Sequence, residues 1–519
     1  MTFRSFVLVL TCPLLATDLL ACGGKLAAEE IDPGEYEPVP VRETDCSFAP
    51  PASPFQKISE DAVDIKISAC GHVAWTDTAG RLFVTSRALE EPTMVSDGIT
   101  QTSPYDTFFL FSKTGRYLLA NTPAGPLSRD LVTGKTTRLE ALSKLGPCGE
   151  NDGREVAMWC SSLGSGIVDL ATGRATTATT AECDESELFV TRGYGFLSVG
   201  TLEESPTFLS MNFSTGKTER LKSPALPPPL SILSGGSSMG LFGESVIGLS
   251  FRGRQRADEE ERILFTKFFR LEDGRDLGVD EKLQLLGFGR NFALLSLRPD
   301  ANADEGARVL WGYGFTGSFT GRPMAILRND EHEPILSLNA SSELFSIDAR
   351  TLATVKLADD VSRIVTSDDE RTFAIQRGVG GLVEFYEEMK ATPVTKLKTG
   401  EYIRSAAGNA TVVLTDGTTF RVVSRFGAQV GESHREPSLY SVGKSGAVFT
   451  LDTPIDDGVK RKNDDTLYGI DSKGTTTKLA EGDSFYVVVG GDVIAAVESP
   501  LPEDGSPRLG MKLYAGAIP

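Results

Sequence analysis

Histidine and tryptophan are scarce in this chain, three of each in 519 residues. Three histidines leave little material for a multi-histidine metal centre. His72, beside the strand-like Val73-Ala74-Trp75, reads as a structural histidine. None of the seven cysteines stands in a Cys-x-x-Cys pair, which disfavours zinc ribbons and thioredoxin-like redox chemistry. Positive charge is also short: 52 Lys and Arg face 71 Asp and Glu, a formal net charge of -19. A phosphate backbone needs a basic footprint, so nucleic acid is not expected as a partner. Long stretches of helical periodicity are rare, and the body of the chain has no membrane-spanning apolar run. What is present is ordinary for a folded protein, with 40% hydrophobic and 24% charged residues.

The first residues differ from the rest. Residues 1–21 read as a signal peptide, with Arg4 as its positive charge and an apolar stretch from Phe6 to Leu15 that is too short to cross a bilayer. The stretch ends in Leu19-Leu20-Ala21-Cys22, which resembles the lipobox of bacterial lipoproteins. That resemblance implies cleavage before Cys22, diacylglycerol on its thiol and an acylated amino group. Gly23, rather than Asp, after the cysteine favours the outer membrane by resemblance to lipoprotein sorting. Asp18 and the single Arg4 depart from the pattern and keep plain secretion as the alternative. Residues 22–56 are acidic and rich in proline, a composition that predicts an extended tether.

Cys12 leaves with the signal peptide. In an oxidising envelope the other five cysteines, Cys46, Cys70, Cys148, Cys160 and Cys183, are disulfide candidates. Cys148 and Cys160 flank a polar turn, as a hairpin bridge does. Cys46 is placed to pin the tether to the first strands through Cys70. Cys183 is left over or replaces one partner.

From residue 57 to 519, short strand-like runs alternate with turn signals, which predicts all-β structure. One turn recurs about every 40 residues. It is Asp130-Leu131-Val132-Thr133-Gly134, then Asp169-Leu170-Ala171-Thr172-Gly173, then Asn212-Phe213-Ser214-Thr215-Gly216. Weaker echoes start at Arg270, Asp348 and Asp471. Asp or Asn opens such a turn and glycine supplies the positive φ that closes it. A strand-built repeat of this length is what a β-propeller blade needs, with another all-β assembly as the alternative. The pattern resembles WD-repeat-like propellers of the Tol-associated kind and the blades of quinoprotein-type propellers, including envelope scaffold lipoproteins. The quinoprotein resemblance implies a docking tryptophan after each turn, but Arg138, Ala178 and Arg220 stand there, so no quinone cofactor is expected. Roughly ten units can be counted. With 254–262 and 454–465 read as insertions swelling half-blades, the expectation is one propeller of seven or eight blades. Two propellers or a larger ring are the alternatives.

Candidate chemistry is sparse. Gly236-Ser237-Ser238-Met239-Gly240 matches the hydrolase elbow Gly-x-Ser-x-Gly, but strand-like sequence follows where a helix is required. Thr133-Gly134-Lys135 and Thr215-Gly216-Lys217 resemble a phosphate loop, but Arg129 and Met211 occupy the position of its earlier glycine. Asp300, Asn302 and Asp304 alternate oxygen ligands as a calcium loop does; Gly306 comes one position late, and Trp311 stands where the closing carboxylate belongs. Calcium is the one cofactor these residues suggest, and a solvated acidic loop is the stronger reading. The function expected is a non-enzymatic, lipid-anchored binding or scaffold module for envelope proteins or glycans. Its rival is a propeller-based hydrolase or lactonase-like enzyme with a metal in the central channel. A cluster of Asp, Asn and His at one channel mouth would favour the enzyme; a wall of mixed polar and apolar residues would favour the module.

Overall fold

A computed structural model describes residues 44–518 except 100, 104–105, 108, 141–144, 152–153, 162–163, 180–182, 191–192, 200–206, 222–230, 243, 255–261, 280–282, 298–306, 329–332, 379–380, 409–410, 425–426, 444–445, 457–460, 483 and 499–510; in some strands only the backbone is described. The described residues contain strands and turns and no helix. The strands form eleven successive antiparallel sheets, ten of four strands and one of three, with a two-stranded hairpin between the first and second. In chain order the sheets span 64–96, 109–138, 145–179, 183–221, 231–270, 283–319, 322–358, 361–396, 402–433, 439–482 and 485–517. The eleventh takes its fourth strand from the other end of the chain: Gln56–Ala62 pairs with Met511–Ala517.

Where side chains are described, a sheet's two apolar faces are covered by the sheets before and after it. Val84 of sheet 1 packs with Phe109 and Leu118 of sheet 2. Tyr117 and Leu119 of sheet 2 meet Trp159 and Val168 of sheet 3. The same relation joins Phe268 to Leu295, Trp311 to Ile335, Leu336 to Phe373 and Val383 to Val412. It continues from Val422 to Phe449 and from Val448 to Ile494. Sheet 11 then packs back on sheet 1 through Val493, Ala495 and Leu513 against Ile65, Val73 and Trp75. The series therefore closes, and the fold is a β-propeller. Its described sheets outnumber the seven or eight blades expected. The reason lies in the two supposed insertions. They prolong hairpins instead of swelling half-blades: Val246–Arg254 pairs with Arg262–Arg270, and Gly446–Asp456 pairs with Arg461–Ile470 out to the Asp456–Arg461 step.

Because each sheet is a meander, its first and third turns fall on one rim of the ring, and its second turn and exit fall on the other. The recurrent Asx turns are third turns. Asp130 Oδ1 accepts the N–H groups of Val132 (2.9 Å) and Thr133 (3.3 Å), and Asp169 and Asp348 cap their turns in the same way. At Asp348 the residue with positive φ is Leu352 (φ 56°) instead of glycine, and its side chain packs on sheet 6. Among the described residues seven fourth strands carry one extra residue opposite their partner, and in five of them it is a large apolar one: Val95, Leu357, Val394, Val430 and Leu479. These five turn an apolar side chain back into the core, and every such bulge breaks the flat edge that would otherwise pair with another chain.

The seam lies on the rim that carries the Asx turns. Cys46 is disulfide-bonded to Cys70, in the first turn of sheet 1. The described end of the expected tether is thus bound to the body. The Ser53 N–H donates to the Arg87 carbonyl (2.9 Å), and the Phe55 N–H donates to Ala517 (3.0 Å). The Arg87 guanidinium grips Asp492, in the first turn of sheet 11. Under this strap His72 is buried and stacked on Phe48, with centroids 5.9 Å apart. Its main-chain N–H donates to Ser68 Oγ (2.9 Å). Burial, and then the charge of Arg87, push its pKa down from 6.5 to about 4.

Two measurements check this frame. Gly134 and Gly173 both have positive φ (70° and 76°), but a Cβ on Gly173 would lie 2.2 Å from the Arg138 carbonyl oxygen of the preceding sheet, while one on Gly134 finds nothing nearer than 3.6 Å. In urea unfolding Gly134→Ala is expected to cost about 1 kcal/mol. Gly173→Ala is expected to cost clearly more; equal costs would contradict the packing. The second is a pH titration of stability. The unfolded chain protonates His72 near 6.5 and the folded chain only near 4, so its contribution is full above 6.5 and is lost as pH falls to 4. The loss amounts to about 3 kcal/mol. His72→Phe should remove that slope; an unchanged slope would show that another group carries it.

Candidate functional site

First strands of several neighbouring sheets touch one another, as Val361–Thr366 does Tyr402–Ala407, Tyr402–Ala407 does Leu439–Val442, and Leu439–Val442 does Phe485–Gly490. Fourth strands such as Thr354–Ala358 and Lys390–Lys396 are mostly exposed. The first strands therefore line the axis. In sheets 6 to 9 each carries a one-residue bulge, and the extra residues are Leu286, Met324, Ser362 and Arg404. All four are exposed. A bulge swings one side chain out of the alternation that would bury it. It explains why Leu286 (47% exposed) and Met324 (37%) stand in solvent on strands whose other apolar residues are covered. Tyr486, on the first strand of sheet 11, is 57% exposed.

Two arginines complete this inner wall. Arg363 is exposed, and its guanidinium lies over the Tyr402 ring, 4.7 Å from the centroid. Arg404 is held by Glu436 through two parallel bonds, Nε at 2.7 Å and an Nη at 3.0 Å, which raise its pKa further. Sheets 8 to 10 are drawn together on the seam rim. There Asp368 accepts the Ser441 N–H (2.8 and 3.0 Å) and its hydroxyl, and Ser441 Oγ accepts the Gly408 N–H (2.7 Å). Ser362, Arg363, Tyr402 and Arg404 lie in the opposite halves of their strands, toward the rim away from the seam. The wall is mixed in chemistry: aliphatic, thioether, phenol and guanidinium groups on a rigid frame. Among the described residues no three His, Cys, Asp or Glu side chains come together to hold a metal.

The residues singled out in the sequence fall elsewhere. Cys22 and the calcium candidates Asp300, Asn302 and Asp304 lie outside the described residues, as does His332. Cys148 and Cys160 stand on the paired first and second strands of sheet 3, with Cys148 opposite Ala157, and Cys183 stands on the first strand of sheet 4; the side chains of all three are outside the described set. Ser238 sits within the strand Ser231–Phe242, which is followed by another strand, so the elbow geometry is missing. The Thr-Gly-Lys segments are hairpin turns. His434 is exposed, and its main chain serves Asp452. Burial opposes ionisation of Asp452, but the Ser433 hydroxyl and the N–H groups of His434 (2.8 Å) and Arg435 (3.4 Å) outweigh it and lower its pKa. A cleft lined by His72, Glu90, Glu91 and Arg129 measures only about 120 Å³, well below the several hundred that enclose a cofactor. The inner-wall residues were missed because nothing in a single sequence marks which residue of a strand will bulge.

Neither a protein-family model nor a curated protein matches the chain. Among solved structures it is similar to the WD40 domain of SCAP from fission yeast, at 8% identity over 89% of this chain and 98% of that one, with a TM-score of 0.31. It is also similar to PorZ, a surface component of the type-IX secretion system of Porphyromonas gingivalis, at 13% identity over 89% and 65%, with a TM-score of 0.26. Dipeptidyl peptidase 4 of the same bacterium matches at 10% identity over 92% and 62%, with a TM-score of 0.30. At such values the propeller assignment rests on the chain's own sheet order and closure.

Proposed function

We propose that this chain is an extracytoplasmic β-propeller, anchored through lipid on Cys22, that binds or scaffolds proteins or glycans of the bacterial envelope, at the outer membrane. The observation that carries the binding role is the inner wall. Leu286, Met324, Arg363, Arg404 and Tyr486 are presented to solvent by strands locked into a rigid ring. Exposed apolar side chains gathered on one surface and interleaved with arginine and tyrosine are the composition of recognition surfaces. The lipobox-like Leu19-Leu20-Ala21-Cys22 carries the anchoring role. The described N-terminal segment joins the ring on the seam rim, so the tether leaves from that rim.

Both parts are testable in cells. With a photo-crosslinking amino acid at Met324, a discrete adduct with an envelope component is expected, and the same group at Val355 on an outer strand should give none. Equal labelling from both positions, or none from either, would contradict a binding role for the inner wall. Metabolic acyl labelling should mark the wild type and vanish in Cys22→Ser, with the protein released from the membrane fraction. Labelling that survives the substitution refutes the anchor.

A further inference from the structure

We infer that the partner of the inner wall is an acidic polypeptide segment with interspersed apolar side chains, bound in extended form across sheets 6 to 9. This rests on the binding-module reading above and adds the class of ligand. The argument starts from charge. In a chain of net charge -19, Arg363 is exposed and makes no ion pair with a described carboxylate. Its one face is spent on Tyr402, which fixes the plane of the guanidinium and leaves its N–H edge to meet a carboxylate in the two-pronged geometry that favours arginine over lysine. Arg404, oriented by Glu436, has further N–H donors beyond the two already used.

The apolar half of the site is on the two preceding sheets. Leu286 and Met324 occupy the bulge positions of sheets 6 and 7, as Ser362 and Arg404 do in sheets 8 and 9. Methionine adapts to varied apolar partners. Packed sheets lie about 10 Å apart and converge toward the axis, so four consecutive inner strands span at most about 30 Å. An extended chain of up to about nine residues crosses that length. A glycan would need an open aromatic face for its sugar rings, and in this stretch the Tyr402 face is already covered by Arg363. The bulges also interrupt the regular backbone edges of the inner strands, so side-chain recognition is favoured over addition of a strand.

The test uses the full secreted chain and a fluorescent peptide of about ten residues alternating glutamate with leucine, read by anisotropy. Binding is expected, weakening with salt, and falling about tenfold or more in Arg363→Glu and less in Arg363→Gln. Met324→Ser should weaken it, whereas Val355→Ser, on an outer strand, should not. A peptide with lysine in place of glutamate should not bind. Binding that ignores Arg363→Glu in a variant with wild-type melting temperature, or equal binding of the lysine peptide, overturns the inference. No peptide binding, while Met324 still crosslinks an envelope component, overturns the acidic-peptide ligand and leaves the binding module standing. A titration with chitin oligosaccharides that outcompetes the peptide points to a glycan and also overturns it. Loss of both peptide binding and crosslinking ends both readings.

Discussion

A β-sheet with two apolar faces is insoluble alone, and this chain solves the problem only by closing on itself. Each sheet hides one face on its predecessor and one on its successor. An open series would leave sheet 1 and sheet 11 each with a bare face. The pairing of Gln56–Ala62 with Met511–Ala517 prevents that, because the two ends of the chain share one sheet. Burying a single large apolar side chain contributes about 1.5–3 kcal/mol, and the closing face alone buries Trp75, Val493, Ala495 and Leu513. The Cys46–Cys70 disulfide and the Arg87–Asp492 ion pair sit where the first and last sheets meet. They hold the seam by a bond and a charge pair, on the rim where the chain enters.

Closure also divides the molecule into surfaces with different duties. The seam rim is knitted from sheet to sheet. Thr114 Oγ1 donates to Glu155 (2.5 Å), Gly443 N–H donates to the Gly491 carbonyl (2.7 Å), and Asp368 reaches past sheet 9 to Ser441. The outer edge is blunted by bulges that pull Val95, Leu357, Val394, Val430 and Leu479 inward. The inner edge uses the same device in the opposite sense, and its bulges push Leu286, Met324, Ser362 and Arg404 outward. A rigid ring with a mixed inner wall is a frame on which recognition costs little ordering of the protein.

The features legible in the sequence are those that local chemistry dictates. Asp130, Asp169 and Asn212 each open a turn whose glycine closes it, and the repeat of that turn announced the blades. The Cys46–Cys70 bond was one of the pairings open to five candidate cysteines, and the structure contains it. The number of sheets did not follow. Strand prolongation and an inserted half-blade have the same local signature, and only the partner strand tells them apart, as the Asp456–Arg461 step does. Leu352 left the Asp348 turn only a weak echo of the motif by replacing glycine, its strain offset by packing on a neighbouring sheet that no local pattern reveals. The bulges were invisible for a related reason. One skipped residue reverses the alternation, so Val394 reads as outward and is buried, while Met324 reads as core and is exposed.

Native-state hydrogen exchange bears most directly on closure. If the ring is closed through its two chain ends, amides of Gln56–Ala62 and Met511–Ala517 should open with a free energy within about 1 kcal/mol of that of the mid-chain strand Thr411–Thr415. If those terminal strands exchange by local fraying, several kcal/mol below the mid-chain strands, the ring is open and its first and last sheets do not hold each other.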